Sequence, residues 1–247
     1  MTRKALSPLR NALLLAAVPA MLAACSLSQG PGDEARPMTL ASDMQDGWRS
    51  LFNGRDLTGW RGYKKASAST KWRVEDGVLT LEAGGGAGDI VSQEEFGEFE
   101  LSLDWKISEG GNSGIIYLVN EADAASQTYN TGLEMQVLDN DRHPDGKLAS
   151  HRAGALYDLE APSAPMVRPV GEWNSARILV HNGRVEHWLN GVKVVDTSYG
   201  DDAWRTKVAG SKFASMPLFG TFSRGHIALQ DHSDQVWYRN IRIRSLD

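Results

Sequence analysis

ARILVHNGRVEHWLNGVKVV, residues 176–195, decides the fold class. Three apolar-rich runs are separated by Asn182-Gly183 and Asn190-Gly191. Asn-Gly accepts positive φ at both central turn positions, so between apolar runs it marks a tight hairpin. Two such turns predict a three-stranded antiparallel meander. In its middle run Val185, His187 and Leu189 share one strand face, opposite Glu186 and Trp188. His187 therefore sits in an apolar row and reads as a core histidine with a satisfied ring.

The same pattern extends in both directions. Phe99, Leu101, Leu103, Trp105 and Ile107 alternate with Glu100, Ser102, Asp104 and Lys106, which predicts a half-buried strand. Residues 72–81 read as a hairpin about Asp76-Gly77, residues 115–119 as a continuous apolar strand, and 226–230 and 236–245 as closing strands. One short helix is expected over 201–209, capped by Asp201 or Asp202. Many short strands, frequent turn residues and almost no helix predict an all-β sandwich of two antiparallel sheets. No internal repeat interrupts it, so 47–247 reads as one domain. Gly84–Asp89, GGGAGD, opens no helix inside a βαβ unit and so gives no NAD site. A flexible hairpin connection is the expectation there.

The chain has 247 residues, enough for one large domain. Its formal charge is −5, and three of its 26 basic residues lie in the leader described next, so the remainder is more acidic still. That balance argues against a nucleic-acid partner. Arg3, Lys4 and Arg10 precede a short apolar run, Ala12–Ala20, well under the roughly 20 residues of a bilayer span. Leu22-Ala23-Ala24-Cys25 resembles the lipobox of bacterial lipoproteins. By that resemblance 1–24 is a signal peptide, Cys25 carries the lipid, and Ser26 implies sorting to the outer membrane, facing periplasm or cell surface. An ordinary cleaved signal with an incidental Cys is the alternative. Residues 25–46 are polar, hold Pro and Gly, and read as a tether.

Candidate chemistry concentrates in GLEMQVLDNDRH, residues 132–143. Leu133, Met135 and Val137 give one face of a strand; Glu134 and Gln136 stand on the other, roughly 6.5–7 Å apart. Asp139 to His143 then break the strand. A sugar site and a solvated face with an Asx-rich turn are both consistent with this. Gly110-Gly-Asn-Ser-Gly can bring Asn112 and Ser113 close to a ligand or to Glu134, or can be a plain turn. In Gln230-Asp231-His232, Gln230 and His232 share a face, and the imidazole suits general acid–base work near neutral pH. No histidine pair has the HExxH spacing, and a metal site assembled from separate strands stays open. Glu134-x-Gln136-x-x-Asp139 invites comparison with the E-x-D-x-x-E strand of retaining β-glucanases, but the middle acid is an amide here.

The motifs LFNGRDLTGW (51–60), GEFELSLDWKIS (97–108), GGNSGI (110–115), GLEMQVLDND (132–141), GALYDL (154–159), EHWLNG (186–191), SKF (211–213) and VWYRNIRIR (236–244) resemble, in this order, the 3-keto-disaccharide hydrolase family. The resemblance implies a concanavalin A-like jelly roll. It implies cleavage of a glycoside already oxidised at sugar carbon 3 by a separate dehydrogenase. A ketone there acidifies the carbon 2 proton, so a base and an enolate stabiliser suffice for elimination, and water then adds. On this view Glu134 or His232 is the base. Gln136, Asn112 and Gln230 donate to the oxyanion and hydroxyls, and Asp139, His143 and Tyr157 lie near the leaving group. A divalent metal bridging ketone and hydroxyl is compatible with the set. The competing readings are a non-catalytic carbohydrate-binding surface lipoprotein and a conventional retaining glycosidase.

Overall fold

The computed structural model describes residues 46–247. The leader, Cys25 and the tether lie outside the described residues. Among the described residues thirteen strands are β1 (Arg49–Ser50), β2 (Trp60–Gly62), β3 (Trp72–Glu75), β4 (Val78–Leu81), β5 (Ile90–Phe96), β6 (Phe99–Ile107), β7 (Asn112–Val119), β8 (Leu133–Leu138), β9 (Asn174–His181), β10 (Arg184–Leu189), β11 (Val192–Ser198), β12 (Gly225–Leu229) and β13 (Val236–Ser245). One sheet of eight runs β11-β10-β9-β6-β13-β4-β3, with β1 beside β13; the second runs β2-β5-β12-β7-β8. Every pairing within these sheets is antiparallel.

The Asn-Gly meander is β9-β10-β11, with Asn182 at φ 49° and Asn190 at φ 50°. The inner faces of the two sheets share one apolar core. Leu101, Leu103 and Trp105 of β6 belong to the same buried cluster as Ile115 and Tyr117 of β7 and Leu133, Met135 and Val137 of β8. His187 is fully buried there, bonded to the Tyr117 hydroxyl at 2.9 Å and the Gly154 carbonyl at 3.1 Å. Burial lowers its pKa to about 4, so it stays neutral.

The Gly84–Asp89 run is not a flexible hairpin connection. It crosses from β4 in one sheet to β5 in the other. Asp231 holds it, accepting from the amides of Ala87 at 2.8 Å and Gly88 at 2.9 Å. Those partners are 144 and 143 residues apart in sequence, beyond any local signal.

The edge strand β8 is covered rather than open. Gln136 N–H donates to Ala155 O at 3.1 Å, Gly154 N–H to Gln136 O at 2.9 Å, and Tyr157 N–H to Glu134 O at 3.0 Å. Capping an edge in this way removes a template for intermolecular pairing, and here it also fixes Tyr157 next to Glu134. The single α-helix described, α1 (Asp202–Ala209), is capped by Asp201, whose side chain accepts from Trp204 N–H at 2.7 Å. A short 3₁₀ turn, Lys212–Ser215, follows it.

Candidate active site

The outer face of the five-stranded sheet carries a cleft of about 370 Å³. Asn112, Glu134, Gln136, Tyr157, Gln230 and His232 line it together with Tyr129, Lys212, Phe213 and Met216. Six of the eight residues expected at the site therefore meet. Their convergence follows from register. Gly114 of β7 pairs with Gln136 of β8, and Asn112 lies diagonally beside that pair. Gln136 Nε2 donates to Asn112 Oδ1 at 3.0 Å. The amide of Gln230, just past β12, donates to Gly114 O at 3.0 Å and places its side chain on the same face.

Gly114 makes room for the carboxylate. A Cβ at this position would lie 2.8 Å from Glu134 Cδ and closer still to its Oε1. Ser113, next to it, points the other way into the core, donating to Gln230 O at 2.8 Å and lying 2.8 Å from the Tyr238 hydroxyl. It does not join the site.

Glu134 is 7% exposed, and its carboxylate has no hydrogen-bond partner among the described residues. Burial pushes its pKa up to about 8; the Lys212 ammonium opposes that rise, and the Asp89 and Asp145 carboxylates add to it. A buried carboxyl that titrates near neutrality suits a general base.

One wall is built by the loop covering β8. The Tyr157 hydroxyl donates to Asp145 Oδ2 at 3.1 Å, and the His151 ring packs on Tyr157 with centroids 4.4 Å apart. Burial, then the Asp145 charge, raises the Tyr157 pKa and keeps the phenol protonated. Asp158 accepts from His151 Nε2 at 2.9 Å and from the Lys212 amide at 2.8 Å. Lys212 Nζ thereby stands 3.8 Å above the Tyr157 ring, a cation–π contact facing the cleft.

Two expected site residues fall elsewhere. Asp139 does not line the cleft: its carboxylate is taken by the amides of Gly110 at 2.7 Å, Asp141 at 3.1 Å and Arg142 at 3.4 Å. It ends the strand as an Asx turn. His143 lies behind the lining, edge-on to His232 with centroids 6.1 Å apart, its Nδ1 accepting from Asp145 N–H at 3.2 Å. With Asp234 these two histidines form the one group among the described residues whose donor atoms are spaced for a metal, all within 4.8 Å. Glu134 is the one carboxylate among the cleft-lining residues. A retaining double displacement needs two carboxyls about 5–5.5 Å apart, and the lining offers only one.

Lys212 was missed from sequence, though Ser211-Lys212-Phe213 stands among the motifs quoted above. No periodicity marks a lysine in an irregular segment as facing a glutamate on a distant strand. The tryptophans behave as core or surface residues: Trp60, Trp72, Trp105 and Trp204 are buried, and no tryptophan lines the cleft.

A family model described as the 3-keto-alpha-glucoside-1,2-lyase-like domain matches residues 47–244. The chain belongs to this family. A curated relative, the 3-keto-disaccharide hydrolase of Bacteroides thetaiotaomicron, is 38% identical over 231 residues, covering 82% of this chain and 79% of its own. A crystal structure from Parabacteroides distasonis, described as a glycosyl hydrolase, matches with a TM-score of 0.79 at 33% identity, over 85% of this chain and 99% of its own. A Bacillus subtilis protein with a galectin-like fold matches at TM-score 0.54 and 14% identity, over 80% of this chain and 94% of its own. That last likeness concerns the fold alone. The two antiparallel sheets are a concanavalin A-like sandwich.

Proposed function

We propose that this chain cleaves 3-keto-glycosides or 3-keto-disaccharides by proton abstraction at sugar carbon 2, elimination and hydration. Within a family of sugar-acting hydrolases and lyases, the observation that carries the mechanism is Glu134: one buried, unpartnered carboxylate among amides and a lysine. Glu134 takes the carbon 2 proton, and the electron pair of that C–H bond moves onto the carbon 3 oxygen as an enolate. The Lys212 ammonium and the side-chain amides of Asn112 and Gln230 supply donors for that charge. Collapse of the enolate restores the ketone, forms the carbon 1–carbon 2 double bond and breaks the bond from carbon 1 to the leaving oxygen. Tyr157, held protonated, gives that oxygen its proton. Water then adds, hydroxyl to carbon 1 and proton to carbon 2, and the proton on Glu134 returns to Tyr157 through solvent.

The choice of Glu134 over His232 as base rests on position: Glu134 is buried on the cleft floor, while His232 is exposed. A binding module gains nothing from a buried carboxylate without partners, which costs stability. Substrate would come from a separate sugar 3-dehydrogenase, because the proposed cleavage starts from a sugar already oxidised at carbon 3. Envelope placement through a lipid on Cys25 stays part of the proposal and rests on residues 1–25.

The test is mass spectrometry of products from a 3-keto-glucoside in heavy water. One deuterium at carbon 2 is expected, with no sugar released from unoxidised nitrophenyl glycosides. Release from the unoxidised glycoside without label would replace this reading by direct displacement.

A further inference from the structure

His151 sits between two carboxylates in the loop that covers β8. Its Nε2 lies 2.9 Å from Asp158 Oδ1, and its Nδ1 lies 3.6 Å from Asp145 Oδ2. Nδ1 is buried and makes no hydrogen bond among the described residues. A carboxylate only accepts, so each ring nitrogen that serves one does so as N–H. Both carboxylates have a second task. Asp145 Oδ2 also accepts from the Tyr157 hydroxyl at 3.1 Å. Asp158 Oδ2 accepts from the Lys212 N–H at 2.8 Å, from a backbone held at φ 60°, where few L-residues rest. One imidazole thus joins a hydroxyl and a lysine that reach the cleft from two separate segments. We propose that His151 is a positioning residue for departure of the leaving group, holding Tyr157 through Asp145 and the Lys212 turn through Asp158. This rests on the functional reading above, in which Tyr157 gives the leaving oxygen its proton.

The physical reason lies in what Tyr157 becomes. Giving up its proton breaks the phenolic O–H bond and leaves a phenolate beside the Asp145 carboxylate. The two negative charges repel, and Asp145 Oδ2 has lost its donor. His151 Nδ1–H points at that same oxygen and needs only to close from 3.6 Å to ordinary hydrogen-bond length to replace it. Without the ring, Asp145 holds the proton on Tyr157 more tightly, and expulsion slows. Proton removal at carbon 2 belongs to Glu134 on β8, which His151 does not touch.

The test compares the full chain with its His151→Ala and Tyr157→Phe variants in heavy water, on a 3-keto-disaccharide and on a 3-keto 4-nitrophenyl glucoside. On the disaccharide both variants should lose kcat, Tyr157→Phe by roughly 10²-fold and His151→Ala by at least about tenfold. Uncleaved disaccharide recovered from either should carry deuterium at carbon 2, because Glu134 still exchanges that proton. Nitrophenolate departs without a proton, so on that substrate each loss should be smaller by about tenfold or more. The double variant should be no slower than Tyr157→Phe alone, since both changes act through one proton. His151→Gln can place an N–H where Nε2 stands and keep Asp158 and the Lys212 turn in place. It should melt with the parent and still show the leaving-group dependence, which a loss of fold would not produce. If Tyr157→Phe is selective for the poor leaving group while the His151 variants lose kcat equally on both substrates, or not at all, the role of His151 is overturned and the acid stands. An equal loss on both substrates in Tyr157→Phe overturns the acid and His151 with it.

Discussion

Two buried glutamates, one on each sheet, have opposite surroundings. Glu100 on β6 is 4% exposed and is held by the guanidinium groups of Arg177 and Arg244. Glu134 on β8 is 7% exposed and has no such partner. Both stand on alternating strands with apolar neighbours, and sequence pattern treats them alike. The difference is what faces them. Glu100 looks onto strands that supply cations at the matching register, with Ser102 opposite Arg177 and Glu100 itself opposite Arg244. Glu134 looks onto Gly114, amides and a loop-borne lysine. A paired carboxylate contributes to the fold; an unpaired one costs stability and keeps its basicity for a substrate.

The largest expected effect is at Glu134. Glu134→Gln should lower kcat by roughly 10²–10⁴-fold in steady-state assays on a 3-keto-glucoside. The same variant should melt at higher temperature than the parent at pH 8. Burial holds the folded-state pKa at about 8, above the ordinary carboxyl value of 4.5. Between those values the folded chain binds the proton more tightly, so parental stability falls as pH rises through that window. Glutamine has no such dependence. Equal melting temperatures at pH 8 would mean that Glu134 is not strained by burial.

Gly114→Ala comes next. The added methyl would push the Glu134 carboxylate off its position, and a displacement of this order costs about 10²-fold in turnover. Unchanged kcat would show that the carboxylate need not sit against β7.

Below pH 8 the kcat of the parent should fall by about tenfold per pH unit as the base protonates, and level off above about pH 8. Lys212→Met should move that limb to higher pH, because the ammonium holds the Glu134 pKa down. A limb unmoved by the lysine substitution would place Lys212 away from the base.

The smallest effect concerns the other glutamate. Glu100→Gln should leave kcat intact and lower unfolding stability by about 1–2 kcal/mol in urea denaturation, as two charge-assisted bonds weaken. Loss of kcat there would join the two sheets in one functional unit and dissolve the contrast.

Ten of the thirteen described strands, the two Asn-Gly turns, a helix cap at Asp201 or Asp202 and the core His187 were legible locally, because alternation and turn chemistry act over a few residues; β1, β2 and β5 were not read. The pair Glu134 and Gln136 was legible for the same reason. Asp139 was misplaced because an Asp after a strand looks alike whether it serves a ligand or its own turn. The glycine-rich run was misread because its anchor, Asp231, arrives only at the other end of the domain. Lys212 and Asp234 had no signal of their own.

By itself the sequence determined the sandwich, the family and which strand face holds Glu134 and Gln136, since these depend on period 2 and short-range turn geometry. Only the tertiary structure decided that Glu134 is left without a partner while Glu100 gains two. Pairing is a property of what folds opposite a residue, and burial without pairing is what lifts the pKa of a strand glutamate towards neutrality.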